Sequence, residues 1–204
     1  MQKIMFNDRY GLTDAVIEGR KTMTRRVLLG IDFPINMVSG RAIPNKEGKI
    51  HAVANGEDII VELRYKVGEI VAVAQSYEQA SIQSWAYLSR PEIDGYQIIS
   101  TCPGWRNKMF VRAELMPHQI RITGIKCEQL QSISDDDCFR EGIIESWYES
   151  TDTTTYGFAD EKKGTAVEFD TPRKAFAALI DKVSGRGTWD RNPWVVAYEF
   201  ELVK

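Results

Sequence analysis

From residue 19 the chain reads Gly19-Arg20-Lys21-Thr22-Met23-Thr24-Arg25-Arg26, which combines a glycine with four cations and two hydroxyl groups. The residues before this segment carry apolar side chains at positions 12, 15 and 16, the spacing of one helix face, and Asn7 or Asp8 can cap that helix. Gly19 suits the C′ position, where glycine enters the left-handed region at least cost. We therefore predict a helix, a glycine stop and a basic, β-leaning segment.

Further strands are predicted downstream of this segment. The apolar run at Ile70–Ala74 is typical of a buried strand. In the long strand predicted from His118 to Leu130 the apolar phase changes at Gly124, which indicates a bulge or a sharp bend. Alternating apolar residues at 196, 198, 200 and 202 predict a final strand. Because no strand–helix–strand unit recurs, the expected class is α+β.

Two more helices have recognisable ends. Ser134 is predicted to cap a short acidic helix that ends at Gly142. Thr171-Pro172 supplies a cap and a first-turn proline for a helix that ends at Gly185. The stretches at about 30–64, 76–108 and 144–170 lack clear periodicity and are predicted as loop insertions, the first with room for one hairpin and the third mobile. Residues 1–204 are expected to form one domain with these insertions.

The charge balance limits the kinds of partner. The chain of 204 residues has a net charge of −3, which argues against a protein that coats nucleic acid non-specifically. Residues 1–30 nevertheless hold six basic side chains against three acidic ones. This imbalance permits a local basic surface, although ordinary solvated charge would give the same composition.

Cysteine usage and hydropathy indicate a cytoplasmic protein. The three cysteines (Cys102, Cys127 and Cys138) show no CxxC spacing, which favours a reducing compartment and argues against a zinc site or a disulfide framework. No apolar run approaches the roughly 18 residues of a membrane span, and the N-terminus lacks the apolar region of a signal peptide. We predict no metal, no cofactor and no membrane partner. The oligomeric state stays open.

Four segments, in sequence order, resemble ASCH domains, a branch of the PUA-like superfamily. The first segment, Gly19–Arg26, resembles the family motif G-x-K-x-x-T-x-R. The other three resemble a turn and strand, a long strand with an acidic helix, and the C-terminal part of longer phage-type members; they are Tyr65–Ala74, Ile120–Ile143 and Phe176–Val195. The resemblance implies a small mixed PUA-like β-barrel with flanking helices, long loop insertions and a cleft beside the barrel.

The resemblance also implies a function, because ASCH domains are RNA-binding or RNA-modifying modules. The expected ligand is RNA or a modified nucleoside in a basic cleft at Gly19–Arg26, and the ligand-binding residues are then Arg20, Thr22, Arg25 and Arg26. Arginine side chains such as Arg25 and Arg26 suit bidentate phosphate contacts. Small members of the family hydrolyse the amide of N4-acetylcytidine, and their catalytic residues match Lys21, Thr24 and Glu141.

This residue set has a coherent chemistry. Amide hydrolysis needs a nucleophile, a base and stabilisation of the oxyanion. Thr24 offers a hydroxyl, and Lys21 is a base if burial and neighbouring cations lower its pKa. Glu141 can hold the exocyclic nitrogen or carry a proton to the leaving amine. Positions 21 and 24 of an uninterrupted strand point to opposite faces. The catalytic hypothesis therefore requires the backbone to bend between them.

Three classes of function remain open from the sequence. The first is a module that binds RNA or a nucleoside through the basic cleft. The second is an amidohydrolase that acts on an acylated cytidine or a related base. The third is an accessory protein, derived from a phage or mobile element, whose insertions bind another protein.

Overall fold

The computed structural model describes residues 1–28, 41–42, 48–54, 57–82 and 102–203. The strands are β1 (Lys3–Ile4), β2 (Met23–Val27), β3 (Arg41–Ala42), β4 (Lys49–Ala54), β5 (Glu57–Glu62), β6 (Ile70–Val73), β7 (Gln119–Gln129), β8 (Ile144–Tyr148), β9 (Thr153–Asp160), β10 (Thr165–Phe169) and β11 (Trp194–Leu202). The α-helices are α1 (Leu12–Ile17), α2 (Asp135–Arg140), α3 (Pro172–Ser184) and α4 (Thr188–Arg191). Short 3-10 turns lie at Asp8–Tyr10, Lys108–Phe110, Ala113–Leu115 and Leu130–Ser132.

The main sheet has the strand order β1-β6-β7-β11-β2, and β3 also pairs with β7. The pairing of β1 with β6 is parallel, and the other pairs of this sheet are antiparallel. The α+β class is therefore confirmed. Within the described residues the sheet is open, with no ladder between β1 and β2, so it does not form the closed barrel that the resemblance implies. As a consequence β2 is an edge strand.

The predicted irregularity at Gly124 is present. Gly124 pairs with Glu199 and Ile122 pairs with Phe200, so Thr123 has no opposite residue on β11. This β-bulge restores a common inward face on both sides of the glycine. Ile122 and Cys127 are consequently both fully buried in the core.

Local signals fixed the ends of two helices as predicted. The Ser134 hydroxyl accepts a hydrogen bond from the Asp137 amide at the start of α2, and the Thr171 hydroxyl accepts one from the Lys174 amide at the start of α3. Gly142 follows α2 with a φ of 103°, in the region that favours glycine.

The start of α1 differs from the prediction. The chain first makes a 3-10 turn, and Gly11, with a φ of 62°, takes the N-cap position instead of Asn7 or Asp8. The Asp8 carboxylate accepts hydrogen bonds from the Thr13 hydroxyl and the Lys108 ammonium group. A distant lysine therefore competes with capping for this carboxylate.

The prediction that residues 144–170 form an irregular loop is wrong. These residues form an antiparallel sheet with the order β10-β9-β8. Phe158 is only 1% exposed and makes an edge-to-face contact with Tyr10, at 5.7 Å between ring centroids. One deeply buried aromatic side chain thus anchors strands whose other residues are mostly polar, which is why composition alone did not reveal them.

The other two predicted insertions are described only in part. The hairpin allowed for in 30–64 is present as the antiparallel pair β4 and β5. Residues 29–40, 43–47, 55–56 and 83–101 lie outside the described residues. No helix in the described part of the chain is long and apolar enough to cross a membrane.

Gly157 is expected to be essential for the β9–β10 pairing. A Cβ atom at this position would overlap the Val167 carbonyl oxygen of the neighbouring strand. Gly157→Ala should therefore lower the free energy of unfolding by about 1–3 kcal/mol, measured by urea denaturation. The control is Gly124→Ala, whose Cβ would meet the flexible Glu199 side chain at 3.3 Å. Equal stability of the two variants would contradict this prediction.

Candidate functional site

A cavity of about 130 Å³ lies beside the edge strand β2. Lys21, Thr24 and Glu141 all line it, and α3 contributes an apolar wall that includes Phe176 and Ile180. The three side chains are almost buried, with exposed fractions of 2%, 5% and 5%. The structure therefore brings an amine, a hydroxyl and a carboxylate to one hollow, although Glu141 is 120 positions from Lys21.

A bend in the backbone makes this convergence possible. Strand β2 begins at Met23, so Lys21 lies outside the regular strand. The Lys21 amide donates to the Ala15 carbonyl at 2.8 Å, and the Thr22 amide donates to the Arg140 carbonyl at 2.9 Å. The ends of α1 and α2 thus hold this part of the chain, and the alternation rule for positions 21 and 24 does not apply.

Lys21 and Glu141 form a buried ion pair. The Lys21 Nζ donates to Glu141 Oε2 and to the Glu141 carbonyl oxygen, both at 2.7 Å. Glu141 is the C-cap residue of α2, where a carboxylate faces the negative end of the helix dipole. The lysine ammonium group offsets that unfavourable charge and satisfies a carbonyl at the helix end.

The pKa of Lys21 is below the ordinary lysine value of 10.5. Burial is the largest cause, because a low-dielectric environment disfavours the charged form. The positive charges of Arg26 and Arg25 act in the same direction, whereas the charge and hydrogen bond of Glu141 oppose them. The neutral amine form of Lys21 is therefore populated at lower pH than that of a solvated lysine.

The Thr24 hydroxyl has no hydrogen-bond partner among the described residues. Thr24 is a lining residue of the cavity. An unpartnered hydroxyl at such a wall is suited to bind or attack a ligand.

Arg25 lines the cavity and lies at the centre of a buried charge cluster. Its guanidinium group donates to Glu128 Oε1 at 2.6 Å, to Asp137 Oδ2 at 2.7 Å and to Glu141 Oε1 at 3.1 Å. Arg25 is 4% exposed, and these carboxylates accept hydrogen bonds from its guanidinium nitrogens. The structure therefore does not support the expected phosphate contact from Arg25, which instead positions the Glu141 carboxylate.

Two of the acidic partners of Arg25, Glu128 and Asp137, were not identified as site residues from the sequence. Burial alone would raise the pKa of Asp137, but hydrogen bonds from Lys126 and Arg25 outweigh it and leave the pKa below the usual value. Glu128 is fully buried within β7 and is also 3.5 Å from the Lys126 ammonium group. Asp137 looked like a helix-start residue. No local signal marks Glu128, because its burial depends on the pairing of β7 and β2 with β11 in the sheet.

The remaining motif residues divide between the cavity and the surface. Arg26 lines the cavity, and its Nη2 donates to the Met5 carbonyl at 2.6 Å. Arg20 is exposed and pairs with Glu18, and the Thr22 hydroxyl accepts a hydrogen bond from Arg140 Nε at 3.3 Å. Neither Arg20 nor Thr22 lines the cavity, so the structure does not support them as ligand contacts.

Neither buried cysteine of the described residues is suited to act as a nucleophile. Burial raises the pKa of the Cys127 and Cys138 thiols to about 12, so neither thiol ionises near neutral pH. The described part of the chain also contains no group of three or more histidine, cysteine, aspartate or glutamate residues placed to hold a metal ion.

Comparison of the chain with protein-family models, curated proteins and solved structures gave no match. A functional interpretation therefore depends on the geometry of the cavity and on the motif at Gly19–Arg26.

Proposed function

We propose that the chain is an ASCH-type protein with a PUA-like framework that binds a modified nucleoside, free or within RNA, and hydrolyses its exocyclic amide. N4-acetylcytidine is the expected type of substrate. The observation that carries this proposal is the convergence of Lys21, Thr24 and Glu141 on one cavity. The cavity wall from α3 supplies apolar surface for an acyl group, since Phe176, Leu179 and Ile180 line it.

In the first half of the reaction Thr24 is acylated. A proton passes from the Lys21 ammonium group to the Glu141 carboxylate across their 2.7 Å hydrogen bond, which leaves a neutral amine and a neutral acid. The amine then removes the Thr24 proton as the hydroxyl oxygen attacks the amide carbon. Glu141 protonates the leaving nitrogen, the carbon–nitrogen bond breaks, and cytidine departs.

In the second half a water molecule hydrolyses the threonine ester. Glu141, now a carboxylate, removes a proton from the attacking water, and the regenerated Lys21 ammonium group returns a proton to the Thr24 oxygen. Acetic acid leaves and ionises in the solvent. The proton on Glu141 then returns to Lys21, which restores the carboxylate and the ammonium group. Arg25 takes no part in proton transfer but holds the Glu141 carboxylate through the 3.1 Å hydrogen bond.

A direct assay tests this proposal. Purified protein is incubated with N4-acetylcytidine, and the loss of the acylated base is followed by absorbance while cytidine is quantified by chromatography. Catalytic conversion to cytidine and acetate is expected. If no acylated nucleoside is hydrolysed but RNA binding is salt-sensitive, the chain is a binding module only. If neither occurs, the accessory-protein class becomes the better explanation.

The pH dependence of the reaction should report the Lys21 pKa. The mechanism requires Lys21 and Glu141 to hold one proton between them, so kcat/KM should fall as the pH rises through the lowered Lys21 pKa, with a midpoint below 10.5 after the enzyme-free rate is subtracted. Arg26→Gln removes a positive charge that lowers the Lys21 pKa, so its midpoint should move to higher pH. A flat profile, or the same midpoint in both proteins, would argue against Lys21 as the base.

A further inference from the structure

A second cavity, of about 310 Å³, adjoins the first. Met5 and Arg26 line both cavities, so these two residues form the boundary between them. The further walls include Arg64, Tyr65 and Tyr198. A ligand that places one group beside Lys21 and Thr24 can therefore continue past Arg26 into this second space.

Two arginine side chains at the second cavity lack an acidic partner. Neither Arg26 nor Arg64 forms an ion pair with a carboxylate in the described parts of the chain. The Arg64 guanidinium group instead lies 5.5 Å from the centre of the Tyr65 ring. Glu62 also lines the cavity but pairs with neither arginine. This arrangement contrasts with Arg25, whose donors are occupied by three acids.

The chemistry of these walls selects an anion. Two guanidinium groups against the single carboxylate of Glu62 leave this cavity with an excess of positive charge, which attracts an anion, and their planar donors match phosphate oxygens. The two tyrosines do not oppose an anion, because burial raises the pKa of Tyr65 and raises that of Tyr198 to about 12. Their rings, in edge-to-face contact at 5.2 Å, form an apolar flank beside the cations.

We propose that the second cavity binds the phosphate group of a nucleotide between Arg26 and Arg64. This inference rests on the proposed function, in which the base occupies the first cavity. A nucleotide carries its base and its phosphate on opposite sides of one ribose, which is the order in which the two cavities adjoin. The substrate class is therefore a nucleotide, either free or as a unit of an RNA strand, and not the bare nucleoside.

Titration calorimetry with product-like ligands tests this inference independently of turnover. Cytidine, its 3′- and 5′-monophosphates and a short single-stranded RNA with an internal cytidine are compared in unmodified protein, Arg64→Gln and Arg106→Gln. Arg106 is an exposed arginine that lines neither cavity and serves as the control. At low salt a phosphate should lower the Kd by about tenfold or more. The gain should disappear in Arg64→Gln, remain in Arg106→Gln and shrink as salt is added.

The outcomes separate this inference from the proposed function. Tighter binding of a monophosphate than of the RNA assigns the site to free nucleotides, and the reverse order assigns it to RNA; both support the phosphate site. Equal affinity for cytidine and every phosphorylated ligand overturns it, even if N4-acetylcytidine is hydrolysed. An unchanged phosphate gain in Arg64→Gln also overturns it. A phosphate gain that depends on Arg64 in a protein without hydrolase activity supports the site and removes only the enzymatic proposal.

Discussion

Replacing Thr24 with valine is expected to lower kcat for hydrolysis of N4-acetylcytidine by about 10³-fold or more, because it removes the nucleophile. The side chain keeps nearly the same shape, and the methyl group that replaces the hydroxyl is compatible with the apolar neighbours at the cavity. Steady-state kinetics on the purified variant measure the effect. The KM should change far less than kcat, since the hydroxyl acts in bond formation.

The Thr24→Val substitution is expected to remove the hydroxyl without destabilising the fold. The hydroxyl makes no hydrogen bond to the described protein, so its removal leaves no polar partner unsatisfied. Valine also suits a strand position. The free energy of unfolding should therefore stay within about 1 kcal/mol of the unmodified protein. Thr24→Ser, which retains a hydroxyl, should keep most of the activity. A Thr24→Val enzyme with undiminished kcat would exclude Thr24 as the nucleophile.

Replacing Arg25 with methionine is expected to lower the free energy of unfolding by about 3–5 kcal/mol, because it removes the cation from three buried or nearly buried carboxylates. Glu128 is fully buried, and the side chains of Glu141 and Asp137 are only 6% and 11% exposed. Lys126 and Lys21 remain as partners, which keeps the loss within this range. Urea denaturation monitored by tryptophan fluorescence measures it.

Two further variants make the Arg25 prediction decisive. Arg20→Met removes an exposed arginine that also pairs with a glutamate, and its effect should be about 0–1 kcal/mol. The double variant Arg25→Met with Glu128→Met replaces the buried pair by apolar side chains and should regain much of the lost stability. This rescue can be measured even if Arg25→Met alone is too unstable to purify. An Arg25→Met protein as stable as Arg20→Met would show that the cluster does not stabilise the fold.

Several elements were predictable because their signals are local. The caps at Ser134 and Thr171 act within three residues of the same chain segment. The bulge at Gly124 follows from a change of phase along one strand, which the strand's own side chains reveal. Such features depend on backbone geometry and on near neighbours, so the rest of the fold hardly alters them.

Other elements depend on contacts between distant residues. The strands at 144–170 are stabilised by the burial of Phe158 against Tyr10. The polar composition of the segment does not predict this contact. The Asp8 carboxylate accepts a hydrogen bond from Lys108, 100 positions away, and therefore does not cap the helix. In both cases long-range packing outweighed the local preference.

The sequence by itself determined which chemical groups the motif carries and that Gly19 ends the preceding helix, because glycine tolerates a φ of 76° without strain. It also placed a carboxylate at the end of α2. Only the tertiary structure decided that Glu141 contacts Lys21. It also decided that Arg25 pairs with three acids whereas the adjacent Arg26 donates to a backbone carbonyl. Successive side chains of a strand point to opposite faces. Glu128 of β7 and Asp137 of α2 accept hydrogen bonds from Arg25, which is buried among acids, whereas Arg26 has no acidic partner in the described residues and lines both cavities.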